Sequence, residues 1–130
     1  MSGITRLMTA NTPIKTEGIC RRILEMPEVE KVCRSEYTVD GAKICVLVVS
    51  KYYLRTNNCI NAVIHLMEKD DKKTACIAVT GGNEGIVNVS LGANRSFAQD
   101  IIKVLEDCGF VQAEFDLTDC ADGFLQRFFQ

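Results

Sequence analysis

Between residues 29 and 80, apolar side chains return at every second position in four runs, and the breaks between them are short and built from Asp, Gly, Asn and Lys. Period two with breaks this short points to neighbouring strands joined by tight turns, hence an antiparallel meander. The first break is Asp40-Gly41, a pair that accepts positive φ at both positions of a two-residue hairpin turn. Strands are expected at 29–39, 43–54, 59–68 and 74–80. Thr56, Asn57 and Asn58 form the second turn, and the charged residues 70–73 form the third. Gly81, Gly82 and Gly85 bracket a turn into a fifth strand at 86–91, where Val87, Val89 and Leu91 alternate with Asn88 and Ser90. A short edge strand is expected within 111–115.

The run ICVLVV at 44–49 is too apolar for a strand with one wet face along its whole length. Its centre is expected to be buried on both sides or covered by a partner. The third strand sets Ile60, Ala62, Ile64 and Leu66 on one face and Val63, His65 and Met67 on the other.

Two helices accompany the strands. Thr12 followed by Pro13 is a helix-start pair, so 13–26 should be helical, with Ile14, Ile19, Ile23, Leu24 and Met26 apolar, Arg21 and Arg22 wet, and Pro27 as the stop. The second helix is expected over 96–108. Ser96 with Gln99 makes a capping box, and Phe97, Ile101, Val104, Leu105 and Cys108 form one apolar stripe. Gly109 supplies a left-handed stop, with Phe110 placed to fold back on the last turn. Residues 116–130 suggest a last helical segment carrying Phe124, Leu125, Phe128 and Phe129 on one side. Such a patch needs a docking surface on the chain's own sheet or on another subunit. Residues 1–11 are read as an N-terminal segment free to move. The expected fold is a single α+β domain over 1–130, two-layered, with about five antiparallel strands, two main helices on one face and a short C-terminal helical segment.

Composition narrows the function classes. At 130 residues, 47% hydrophobic and 25% charged, the chain can build one core without disulfide or metal staples. Fifteen Lys plus Arg against 17 Asp plus Glu give a net charge of −2 and a pI near 5.4, which removes the positive field of non-specific nucleic-acid binders. No nucleic-acid partner is expected. No apolar run approaches a membrane span and the N-terminal residues lack the apolar stretch of a signal peptide, so a cytoplasmic protein without membrane contact is expected. Seven cysteines, at 20, 33, 45, 59, 76, 108 and 120, show no CxxC spacing. Neither a metal knuckle nor a cofactor is expected, and each Cys reads as a small core hydrophobe in a reducing compartment.

The stretch KYYLRTNN at 51–58, and the Gly-rich turn followed by VSLGANRSF at 89–97, resemble a bacterial family of small uncharacterised α+β proteins, a domain of unknown function, over about residues 30–110. The resemblance implies a compact cytoplasmic bacterial domain and carries over no catalytic residue. The layout of a helix, a curved antiparallel sheet and a late helix is also similar to helix-grip ligand-binding folds, although this chain is short for them and its second helix brief.

Candidate chemistry is sparse. The only histidine, His65, and a mid-strand Cys76 stand on adjacent strands. With the turn centred on Asp71-Lys72 they meet diagonally, and with the Gly81-Gly82 turn they make the outline of a small enzyme site. A strand Cys without a helix dipole is more simply a packing residue. The turn TGGNEG at 80–85 and a helix mouth at Asn94 and Arg95 raise anion binding, but match no phosphate-loop spacing. Tyr52, Tyr53 and Arg55 mix cation and aromatics, as recognition surfaces do. The residues taken forward for ligand or partner binding are therefore Tyr52, Tyr53, Arg55, His65, Gly81, Gly82, Asn94 and Arg95, with no catalytic or metal residues. The expected function is a non-enzymatic module that binds a small ligand or protein, with a homodimer as its assembly. The acidic groups at 68, 70 and 71, alternating with Lys69, Lys72 and Lys73, read as a solvated hairpin tip.

Overall fold

In the computed structural model, which describes residues 4–53, 58–81 and 87–113, Asp40 and Gly41 take φ values of 50° and 80°. Both lie in the left-handed region, as the tight hairpin requires. The elements run β1 (Ile4–Asn11), α1 (Thr16–Leu24), β2 (Val29–Val39), β3 (Ala42–Tyr53), β4 (Asn58–Lys69), β5 (Lys72–Gly81), α2 (Val87–Asp107) and β6 (Val111–Gln112). All six strands join one sheet in the order β2-β3-β4-β5-β1-β6, every pair antiparallel. The meander is β2 to β5, and α1 carries the chain from β1 across to the β2 edge.

The α+β class and the antiparallel sheet agree with the expectation from sequence; the strand inventory does not. The fifth strand expected at 86–91 is instead the opening of α2, a helix of 21 residues. Its place beside β5 is taken by β1, a segment read from sequence as a loose N-terminal arm. β1 hides from periodicity because both its faces are partly buried: Met8 and Ala10 point to one side and Leu7 to the other, at 0%, 7% and 3% exposure. With α2 beginning at Val87, Ser96 is an exposed interior residue rather than a cap. The first helix also begins later than 13. Thr12 Oγ1 accepts from the Ile14 amide at 3.3 Å, a local turn, and α1 starts at Thr16.

What caps α1 is not a neighbour in sequence. The Thr16 amide donates to Glu68 Oε1 at 3.3 Å, and the same oxygen lies 3.2 Å from Lys73 Nζ. Lys73 is 2% exposed and also donates to the Thr12 carbonyl at 2.6 Å. Glu68 and Lys73 are direct cross-strand partners, so this ion pair sets the β4–β5 register and centres the turn on Asp70-Asp71. Asp70 takes φ 56°. The solvated hairpin tip expected from sequence is, in these two residues, a buried clamp joining β4, β5 and the β1–α1 turn.

The main core lies between the sheet and both helices. Met8, Cys45, Leu47, Val49, Ile60, Ala62, Ile64, Leu66, Ala75, Ile77 and Val79 meet Ile19, Cys20 and Ile23 from α1 and Phe97, Ile101 and Leu105 from α2. Burying a large aliphatic side chain contributes about 1.5–3 kcal/mol, so this layer is the main source of stability. α2 ends as expected. Gly109 sits at φ 100°, its amide donates to the Glu106 carbonyl and that of Phe110 to Leu105, the reciprocal pattern of a Schellman stop. Among the described residues no helix is long and apolar enough to cross a membrane. The helical segment expected at 116–130 lies outside the described residues.

Candidate functional site

Side chains alternate along a strand, so the register assigns every residue of β2 to β5 to one of two faces. One face carries the helices. The other bears Cys33, Ser35, Tyr37 and Val39 on β2, and Ile44, Val46, Val48 and Tyr52 on β3. On β4 it bears Cys59, Val63, His65 and Met67, and on β5 Thr74, Cys76 and Ala78. Of the six exposed large apolar residues among those described, Tyr37 (50%), Val39 (42%), Tyr52 (46%), Val63 (39%) and Val111 all belong to this face. The sixth, Val32, falls in the β-bulge between Lys31 and Cys33. Toward the turns the same face holds a second small cluster, Leu7, Ala42, Ile44 and Met67, with Ala113 packed against it.

The charge pattern of this face is as informative as its apolarity. A quarter of the chain is charged, yet the middle of this face, Cys33 to Val39 on β2, Ala42 to Tyr52 on β3, Cys59 to Met67 on β4 and Thr74 to Thr80 on β5, carries no Asp, Glu, Lys or Arg. Glu30 stands at one end, and Lys69 and Lys72 at the other. The histidine of this face is His65, half-buried, whose imidazole burial holds below its ordinary value of 6.5. It is therefore neutral at pH 7.

The sequence-selected residues scatter. His65 and Cys76 are direct cross-strand partners, closer than the diagonal relation expected, because the turn is centred one residue earlier. Gly81 lies five residues further along β5, roughly 17 Å at the rise of a strand, and is a strand residue. Its role there is steric. At φ 129°, a Cβ on Gly81 would stand 2.8 Å from the Cys59 carbonyl oxygen. Tyr52 and Tyr53 point to opposite faces: Tyr52 joins the helix-free face, while Tyr53 packs against the core beneath Lys51, whose Nζ is 5.1 Å from the ring centroid and 3.5 Å from Asp100 Oδ2. Lys51 and Asp100 also line an open cleft of about 330 Å³ with Met26, Pro27 and Lys103. Asn94 and Arg95 are inside α2, the first fully buried and the second exposed, so neither stands at a helix mouth. Arg55 and Gly82 lie outside the described residues. Among the described residues no group of three or more His, Cys, Asp or Glu could hold a metal ion.

One pair escaped sequence reasoning. Cys20 on α1 and Cys45 on β3 are both fully buried, with sulfurs 3.7 Å apart. Beside them on the β2 edge, Arg34 donates to Glu36, the cross-strand partner of Cys45. That bond holds the Glu36 carboxyl low and raises Arg34. The hydrogen bond with Cys20, helped by the Arg34 charge and opposed by burial, brings the Cys45 thiol down to about 7. Cys20 is pushed up by the same contact and by burial. Nothing in the spacing of residues 20 and 45 signals this contact, because it needs the α1–β3 packing to exist.

The chain belongs to the family of unknown function DUF6054, whose model matches residues 1–109. This agrees with the resemblance to a domain of unknown function drawn from 51–58 and 89–97. No curated protein and no solved structure matches the chain.

Proposed function

With membership of a family to which no activity is attached as the premise, we propose that the protein is a binding module that pairs with a second copy of itself through the helix-free face of β2 to β5. The observation that carries this reading is the coincidence of exposed Tyr and Val side chains with the absence of charge from the middle of one face. Depletion of charge with enrichment of aromatics is the compositional mark of an interface core. The area suits it: four strands by about ten residues span roughly 19 Å by 34 Å, about 650 Å², near the ~800 Å² each partner of a standard interface contributes. The charges suit a second copy. A two-fold axis that reverses strand direction lays Glu30 of one protomer over the Lys69 and Lys72 end of its partner, an isologous arrangement. His65, neutral at pH 7, and Tyr52 then lie within the interface. A reducing cytoplasm is the compartment proposed, supported by six described cysteines that are all thiols.

Sedimentation equilibrium tests the proposal. The wild type should behave as twice 14.4 kDa, and Val63→Lys and Tyr37→Ser should give monomers. Both residues are substantially exposed in the protomer, so each variant should retain stability within about 1 kcal/mol. A wild type that stays monomeric at tens of micromolar overturns the reading in favour of another occupant of the face, the chain's own residues 114–130 or a different protein.

A further inference from the structure

The Cys20–Cys45 pair is not used by the proposed interface, which occupies the other side of the sheet. Two thiols brought within 3.7 Å from elements 25 residues apart are more than two buried hydrophobes. They form a contact in which one sulfur donates to the other, and they lie beside the charged Arg34 and Glu36 of the edge strand. The pair itself is fully buried, and the neighbouring Arg34 and Glu36 side chains on the edge strand are 25% and 36% exposed. We propose that Cys20 and Cys45 form a peroxide-oxidisable dithiol, with Cys45 as the attacking sulfur, Cys20 as the resolving one and Arg34 as the positioning residue that favours the thiolate.

The chemistry balances with hydrogen peroxide as the oxidant. The Cys45 thiolate attacks one peroxide oxygen, the O–O bond breaks, and the products are the Cys45 sulfenic acid and hydroxide. Hydroxide takes up the proton that Cys45 had released and becomes water. Cys20 sulfur then attacks the sulfenic sulfur: the S–S bond forms, the S–O bond breaks, and the departing oxygen leaves as a second water carrying the Cys20 proton. Two thiols lose two electrons and peroxide gains them. The assignment of roles follows from the environment. The S–H of Cys20 and the Arg34 charge both stabilise a negative sulfur on Cys45, whose thiol sits at about 7, whereas Cys20 stays protonated. Thiolate, not thiol, is the nucleophile. The closed disulfide would tie α1 covalently to β3, fixing the helix to the strand that also lines the helix-free face.

The experiment is brief exposure of the reduced full-length protein to stoichiometric hydrogen peroxide, followed by alkylation under denaturing conditions and peptide mass spectrometry. The expected result is a linked Cys20–Cys45 peptide, appearing before the exposed Cys33 and Cys59 are modified, and forming faster as pH rises through about 7. Arg34→Gln, a change at the sheet edge, should slow the reaction at pH 7 about fivefold, since one unit added to a thiol pKa of about 7 cuts the thiolate at pH 7 from about a half to about a tenth. Cys20→Ala should leave a Cys45 sulfenic acid that dimedone traps. If Cys33 and Cys59 oxidise while Cys20 and Cys45 emerge as alkylated thiols, or if Arg34→Gln reacts at the wild-type rate, the proposal fails.

Discussion

Replacing Lys73 by Met keeps the aliphatic stem within its buried site and removes only the ammonium. That ammonium is held by Glu68 Oε1 at 3.2 Å and the Thr12 carbonyl at 2.6 Å, with the Asp70 carbonyl at a marginal 3.5 Å. Each hydrogen bond to a charged group contributes about 1.5–3 kcal/mol, so two good ones represent about 3–6 kcal/mol. Relief of the ammonium's own desolvation returns part of this, while the Glu68 carboxylate, 12% exposed, is left without its counter-charge. The net expectation is a loss of about 3 kcal/mol. Adding Glu68→Gln removes the stranded charge and keeps an oxygen for the Thr16 amide, so the double variant should recover about 1 kcal/mol relative to the single one. Equilibrium urea unfolding at one fixed protein concentration, followed by far-ultraviolet circular dichroism, measures both. A loss below about 1 kcal/mol for Lys73→Met, or a double variant no better than the single, would refute the argument that this hairpin end is a clamp.

Two further predictions concern residues on either side of the sheet. Because burial lowers the His65 pKa in the folded state, the unfolded chain takes up this proton first on acidification. The stability it contributes is complete above about 6.5 and is lost as pH falls below that and through the folded value. Thermal melts from about pH 8 to pH 5 should show this slope, and His65→Gln should flatten it; an unchanged slope would place the titration elsewhere. Imidazolium on the uncharged face should also weaken self-association over the same range. Gly81→Ala places a methyl 2.8 Å from a backbone oxygen at a φ of 129° and should cost about 2–3 kcal/mol; a chemical-denaturation loss within about 0.5 kcal/mol would contradict it.

The meander was readable because its information is local. Asp40-Gly41 fixes one hairpin, and the alternation of Ile60, Ala62, Ile64 and Leu66 tells which face is buried. The stop at Gly109 was equally local. What stayed hidden depends on contacts distant in sequence. The charged run at 69–73 allows the turn to be centred one residue later without changing either strand's face parity, and only the Glu68–Lys73 pairing selects between the two. Val87, Val89 and Leu91 satisfy a strand by propensity, yet the backbone there is helical, since β propensity is a weak guide outside its context. Of the candidate site, the apolarity of ICVLVV on both sides already pointed to a covered second face, while Tyr37 and Val39 were passed over because β2 alternates weakly. The Cys20–Cys45 contact had no sequence signal at all.

The position of β1 has a consequence for how β6 is held. Leu7 pairs with Cys76 on one side, and Met8 and Thr9 pair with β6 on the other, so the first described strand is the backbone bridge by which β6 is attached to the sheet. The Ala113 amide donates to the Leu7 carbonyl as well. Peeling β1 from β5 would therefore carry β6 away from the sheet in the same event.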